Sequence, residues 1–571
     1  MNVYPTVTTE YGIIEGITHV TTEGFETEMF LGIPYAKPPI NELRFEWEVL
    51  TPSLVNFDFV NYLIVVLFRL RLRSRLRSRS RSRSRCIEKI KENKPPESIY
   101  RLRSRLPIDS DSGVGVTKNF WNNTKPQPPI PWIIPLKAKQ FGPQSVSFPD
   151  LGSPGSEDSL TLNVIKPAAP SDDSAGYPIM VWIHGGAFVI GSSAHYNLNE
   201  TAQRIVSQGV IFISINYRLG PLGFFTTGTS EAPGNYGLWD QVEALKFIQK
   251  VIGAFGGNSK AVTIFGESAG GASVSWLTLT PETDGLFARA ITMSGSALAP
   301  WAQGDFVVKT SSMLAEAIGC SNSANIKECL KGKTLEEIKE AAAKVSKNVV
   351  KTEGVHIADF HPRVDGEFLH GLTVEEAFKR APKIEHFMGI CSQENVVFVM
   401  QITETNQPIK GPFSDPNAKD IPITPEKAAT YSRQDFIEIV HKILATKEVY
   451  GSKAHAAAED IIEYYESKIS IYQRNPYLHL YAQLFGDIIF NIPTIREAQL
   501  KAAAGQKVFF YVYSFVPELA KHQFFDGAGH ASELSNFFGS VYGMPAFPLE
   551  GNVGKVQKIV IDLFVNFAKT G

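Results

Sequence analysis

Three short apolar runs constrain the fold of this 571-residue chain more than any other feature. Pro178–Ile183 (PIMVWI), Val210–Ile215 (VIFISI) and Ala261–Phe265 (AVTIF) are continuous apolar runs, and they end in polar or glycine-containing turns. A strand wetted on one face alternates, whereas a continuous run suits a strand buried on both faces of a central sheet. Leu160–Ile165 (LTLNVI) alternates as a strand, and Asp240–Ile252 carries Val242, Leu245, Ile248 and Val251 or Ile252 at helical spacing. Upstream, Thr6–Thr9 and Gly12–Ile17 carry β-branched residues and Ile33–Pro39 is held extended by its prolines. Strands alternating with helices predict an α/β fold with helices flanking a large, mostly parallel sheet.

A different composition interrupts this pattern. Residues 68–85 read FRLRLRSRLRSRSRSRSR, and Arg101–Leu106 repeats Arg71–Leu76. Such a tract repels itself and buries little, so residues 47–125 are expected to form a disordered, low-complexity insertion. Residues 69–105 hold 15 basic and 3 acidic residues; the remainder holds 41 and 55, a net of −14. An acidic body repels phosphate, so no nucleic-acid partner is expected. Val60–Phe68 is about half the roughly 20 residues a bilayer-spanning helix needs, so no membrane association is expected either. The N-terminus lacks a basic start followed by an apolar run, which predicts a cytoplasmic protein, or a secreted one if the true N-terminus is missing. The four cysteines form no disulfide framework; spacing alone leaves Cys320 and Cys329 equally readable as a small closed loop or as two free thiols.

Two stretches carry chemistry. In AVTIFGESAGGAS, an apolar strand runs into Gly266-Glu267-Ser268-Ala269-Gly270 and then into small residues that open a helix. This is the context of a nucleophile elbow, where glycines permit a sharp turn and the serine stands above the sheet edge at a helix N-terminus. In VWIHGGAFVIG, another apolar strand runs into His184-Gly185-Gly186-Ala187, whose small residues let backbone N–H groups approach a substrate oxygen. His184 itself reads as a structural hydrogen bonder.

These stretches belong to a longer series: IPYAKPP at 33–39, LRF at 43–45, SEDSLTLNV at 156–164, NYRLGPLGF at 216–224, GNYGLWDQ at 234–241, IGAFGGNSKAVTIFGESAGG at 252–271 and ITMSGS at 291–296. In that order they resemble the type-B carboxylesterase/cholinesterase family over residues 1–46 and 126–571, read as one domain. The resemblance implies an α/β-hydrolase fold and an ester hydrolase with a Ser-Glu-His triad, no metal and no cofactor. It implies Ser268 as the nucleophile, Glu394 in SQEN as the acid and His530 in GAGHASEL as the base. It implies oxyanion donors at Gly186, Ala187 and Ala269, supporting roles behind the histidine for Glu267 and Ser294, and a Cys320–Cys329 disulfide. The substrate implied is a small-molecule carboxylic ester; the oligomeric state stays open.

Some positions depart from the family pattern. Asn395 replaces the glycine after the acid, and Ser159 replaces a cysteine, which removes an early disulfide. The chain ends at Asn566–Gly571, before the family's last element. Three other readings stand beside the esterase: a non-catalytic adhesion relative, which an intact Ser268 disfavours; an esterase fold inactivated by the insertion and the short C-terminus; and an RNA-associated protein acting through the Arg/Ser tract.

Overall fold

The structure is a computed structural model and describes residues 4–45, 126–149, 155–348, 357–400, 423–470, 475–522, 524–541 and 546–571. The expected insertion at 47–125 lies outside them. Twelve strands are described: β1 Thr6–Thr9, β2 Gly12–Glu15, β3 Ile17–Val20, β4 Glu26–Pro34, β5 Leu136–Lys137, β6 Thr161–Pro167, β7 Tyr177–Ile183, β8 Ile211–Ile215, β9 Gly257–Glu267, β10 Arg289–Met293, β11 Glu385–Cys391 and β12 Lys507–Tyr513. β1, β2 and β5 form a small sheet; the other nine form one sheet in the order β12-β11-β10-β9-β7-β8-β6-β4-β3.

The continuous apolar runs occupy its centre. β7, β8 and β9 pair in parallel, and the parallel pairing continues through β10, β11 and β12. β3, β4, β6 and β8 join antiparallel at the other side. This is the α/β-hydrolase arrangement that the resemblance implies. A buried amide in β6 is satisfied across the sheet. Asn163 of β6 donates to Ser193 Oγ at 3.0 Å and to Ser214 Oγ of β8 at 3.1 Å, and its carbonyl accepts Gly32 N–H at 2.9 Å.

Helices cover both faces. Four matter below: α1 Tyr236–Val251, α2 Ala269–Leu277, α3 Ile492–Ala503 and α4 Gly551–Thr570. On one face Ile561, Phe564, Val565 and Phe567 of α4 join Trp182, Phe265, Ile291 and Phe387 of the sheet in one core cluster. Deleting one such buried aromatic side chain costs about 3–5 kcal/mol. α1 starts four residues before the predicted Asp240. Its boundary is set by tertiary bonds: Asn235 adopts φ 61° and its amide donates to Arg363 O and Asp365 Oδ2, both at 2.7 Å. The predicted helical stripe at Val242, Leu245, Ile248 and Val251 is buried. A bidentate pair between Arg218 and Asp240, at 2.8 and 2.7 Å and buried on both sides, fixes the loop after β8 against α1.

Ser159 is buried with its Oγ 2.9 Å from that of Ser145, so two hydroxyls meet where the family pattern has a cysteine. Cys320 and Cys329 are joined by a disulfide with a Cα–Cα distance of 5.8 Å, as the resemblance implies. Among the described residues no helix is long and apolar enough to cross a membrane.

Candidate active site

β9 delivers Ser268 and α2 begins at the next residue. The turn between them is strained: Ser268 has φ 58° and ψ −123°, a conformation L-residues rarely adopt. Close packing over-determines it. A Cβ at Gly266 would lie 2.6 Å from the carbonyl oxygens of Ile183 and Gly270, and one at Gly270 would collide with Ile183 O. Backbone N–H of Ser268 donates to Met293 O at 2.8 Å, tying the elbow to the end of β10.

The loop after β7 lies against the elbow. A Cβ at Gly185 would stand 3.1 Å from Ser268 Cβ. Gly186, Ala187 and Phe188 all have positive φ, at 113°, 52° and 62°. This run turns successive N–H groups the same way, as in an anion-binding nest. Among the described residues, the backbone N–H groups of Gly186, Ala187 and Ala269 make no hydrogen bond. All three residues are buried. Unpaired buried donors are costly unless something accepts from them.

His184 does not face this nest as an acid or base. Its Nδ1 meets Gly185 O at 2.8 Å, its ring stacks on Tyr217 at 4.4 Å, and burial pulls its pKa down to about 3. It is a neutral spacer, consistent with its reading as a structural group.

β11 and the loop before Leu534 bring the other two residues together. His530 Nδ1 donates to Glu394 Oε2 at 2.7 Å. Glu394 Oε1 accepts from Ser294 Oγ at 2.6 Å and from Cys391 N–H at 2.7 Å. His530 Nε2 is buried without a hydrogen-bond partner. It lies 3.0 Å from Glu267 Oε1, in ion-pair range but poorly aligned for a hydrogen bond. The two supporting residues are therefore placed differently from the expectation. Ser294 acts on the acid, and Glu267 faces the nitrogen on the far side of the ring from Glu394.

Burial pushes Glu267 up to about 8, helped by Glu533 and Glu394 and opposed by His530. Burial disfavours the imidazolium of His530, but Glu267, Glu394 and Glu533 outweigh it and push the group up to about 9. The two shifts describe one coupled system: a proton on Glu267 removes the strongest attraction acting on His530.

Several further residues complete the site. Glu533 accepts from Cys391 Sγ at 2.8 Å and from Tyr511 OH at 3.2 Å, and it is buried one turn from His530. Aromatic rings enclose the imidazole: Phe490 at 4.3 Å and Phe398 at 5.5 Å, with Trp301 tilted against the far side of Phe490 at 5.7 Å. The H-x-x-E spacing of His530 and Glu533 was readable. The aromatics come from three distant segments and were not.

Known proteins agree with this architecture. The carboxylesterase family model matches residues 3–49 and 123–571. Gut esterase 1 of Caenorhabditis briggsae is 32% identical over 589 residues, covering 99% of this chain and 84% of the relative. Bile salt-activated lipase of Bos taurus is 32% identical over 458 residues, covering 78% of this chain and 72% of the relative. Carboxylesterase 5A of Felis catus is 28% identical over 583 residues, covering 99% and 86%. A strained serine at a strand–helix turn, a buried histidine paired with Glu394 and a match over nearly all the described residues lead to one assignment: the chain belongs to the carboxylesterase family, a family of carboxylic ester hydrolases.

Proposed function

We propose that the chain hydrolyses carboxylic esters through an acyl-enzyme on Ser268. The observation that carries this reading is the His530 imidazole, held at Nδ1 by Glu394 with Nε2 3.0 Å from Oε1 of Glu267, the residue next to the strained serine. The Nδ1–H to carboxylate bond selects the tautomer in which neutral Nε2 can accept a proton. Ser268 Oγ attacks the ester carbonyl carbon as its proton passes to Nε2. The carbonyl oxygen, now negative, is received by the N–H groups of Gly186, Ala187 and Ala269. The N-terminus of α2 adds positive potential there.

The C–O bond to the alcohol then breaks and Nε2–H protonates the leaving oxygen. Water, deprotonated by the same nitrogen, attacks the acyl carbon and releases the acid. Glu394 orients the ring and stabilises its positive form. The aromatic wall of Phe398, Phe490 and Trp301 supports substrates with apolar groups. The Cys320–Cys329 bond supports an oxidising, secreted setting over a cytoplasmic one.

Ser268→Ala tests the reading. Hydrolysis of a short-chain aryl ester should fall by about 10⁴ or more, with the melting temperature close to wild type. Unchanged turnover in a pure preparation overturns it.

A further inference from the structure

Behind the nucleophile helix lies a charged group that the acyl-transfer chemistry does not use. Glu497 and Lys501 stand one turn apart on α3, fully buried, with Nζ 2.9 Å from Oε1. Charges taken so far from water are costly unless their remaining lone pairs and protons are placed. The other carboxylate oxygen, Oε2, accepts from Ser275 Oγ at 2.7 Å and from Ser296 Oγ at 2.5 Å. Those hydroxyls accept in turn from Ala297 N–H and Leu298 N–H, both at 3.0 Å. Lys501 Nζ donates to Thr278 Oγ1 at 3.1 Å and to His386 Nδ1 at 3.2 Å. The His386 ring closes the chain on Gln506 Oε1, and burial together with Lys501 keeps that ring neutral.

Every partner sits on an element that carries part of the site. Ser275 lies on α2 and Thr278 caps it, and α2 starts directly after Ser268. Ser296 is two residues past Ser294, the hydroxyl on Glu394. His386 lies on β11, whose last residue, Cys391, gives its N–H to the same Glu394 oxygen. One carboxylate and one ammonium thus join the nucleophile helix, the turn after β10 and the strand that leads to the acid.

We propose that Glu497, neutralised by Lys501, is a positioning residue of the active site: it clamps α2 to the Ser294–Ser296 turn and so holds Ser294 on Glu394 and, through Glu394, the His530 ring. This rests on the acyl-transfer reading above. Apolar side chains of similar volume would fill the same space at comparable stability. They would not supply one oxygen on which hydroxyls from two catalytic elements converge.

The test uses the full chain, with kcat expressed per active site titrated with a fluorophosphonate. Glu497→Gln and Ser296→Ala are measured alone and combined with Ser294→Ala, with melting temperatures alongside. Each should lower kcat about ten-fold with KM within about two-fold. In the Ser294→Ala background the further loss should shrink below about two-fold, because the changes act through one hydrogen bond. Ser296→Ala keeps the ion pair whole, so it gives the answer even where Glu497→Gln fails to fold. Wild-type kcat per titrated site, or full additivity with Ser294→Ala, overturns the proposal. Ser268→Ala runs beside them: turnover surviving there would reject the acyl-transfer reading itself. Loss there, with wild-type kcat in the other variants, would reject the positioning role alone.

Discussion

Glu267 meets His530 on Nε2, the nitrogen that takes the serine proton in the proposed acyl transfer, at 3.0 Å. A carboxylate there stabilises the imidazolium, so it works against the base form. Removing its charge in Glu267→Gln lowers the pKa of His530 and leaves the neutral ring populated at lower pH. With His530 pushed up to about 9 and Glu267 to about 8, the acid limb of the kcat/KM profile should move down by about one unit, read from initial rates from about pH 6 to about pH 11. An unmoved limb would mean that Glu267 holds its proton throughout that range. At this scale legibility was uneven. Ser268 was readable because strand, glycine turn and helix are local. Glu394 and His530 lie 126 and 262 residues from it, and no spacing marks them among 58 acids and 12 histidines. Only the resemblance to a family pointed to them.

The elements succeed or fail by where their boundaries are decided. β7 and β8 were visible as apolar runs because both faces are buried, a property each residue carries alone. β12 (KVFFYVY) was not singled out, although its composition suits a strand; its place beside β11 depends on a partner more than a hundred residues upstream. α1 was placed four residues late because its start rests on contacts of Asn235 with Arg363 and Asp365. The Cys320–Cys329 bond closes a loop of sequence separation 9 between the helix Phe306–Ala317 and the helix Ile326–Lys331. The double change Cys320→Ala/Cys329→Ala should cost roughly 2–3 kcal/mol through the unfolded chain. Denaturant unfolding of the two proteins checks this; equal midpoints would mean that the constraint is offset by native-state contacts.

The whole molecule keeps several histidines neutral in its interior. Burial pulls His184 down to about 3 and His361 to about 4, against an ordinary 6.5. Their folded-state pKa values are depressed, so below about pH 6.5 the unfolded chain binds protons that the folded chain refuses. Each therefore destabilises the fold increasingly as pH falls from about 6.5 to its folded value. His361→Gln should gain on wild type by up to about 1.4 kcal/mol per pH unit between pH 6.5 and 4. Denaturant midpoints at pH 7, 6 and 5 measure the gap; a gap independent of pH would mean that His361 takes up its proton in the fold. Glu267 and His530 tilt stability the other way, holding protons that the unfolded chain would release, so only the difference between variants isolates one group.

The class of fold and the position of the proposed nucleophile are both readable from the amino-acid sequence. Both depend on local composition: burial on two faces demands apolar runs, and a sharp strand-to-helix turn demands glycine. That Ser294 holds Glu394, and that the hydroxyls of Ser275 and Ser296 converge on Glu497, appears only in the folded chain. These contacts join residues brought together by sheet order and helix packing. A side chain at the end of one strand cannot specify its neighbour on another until the register between them exists.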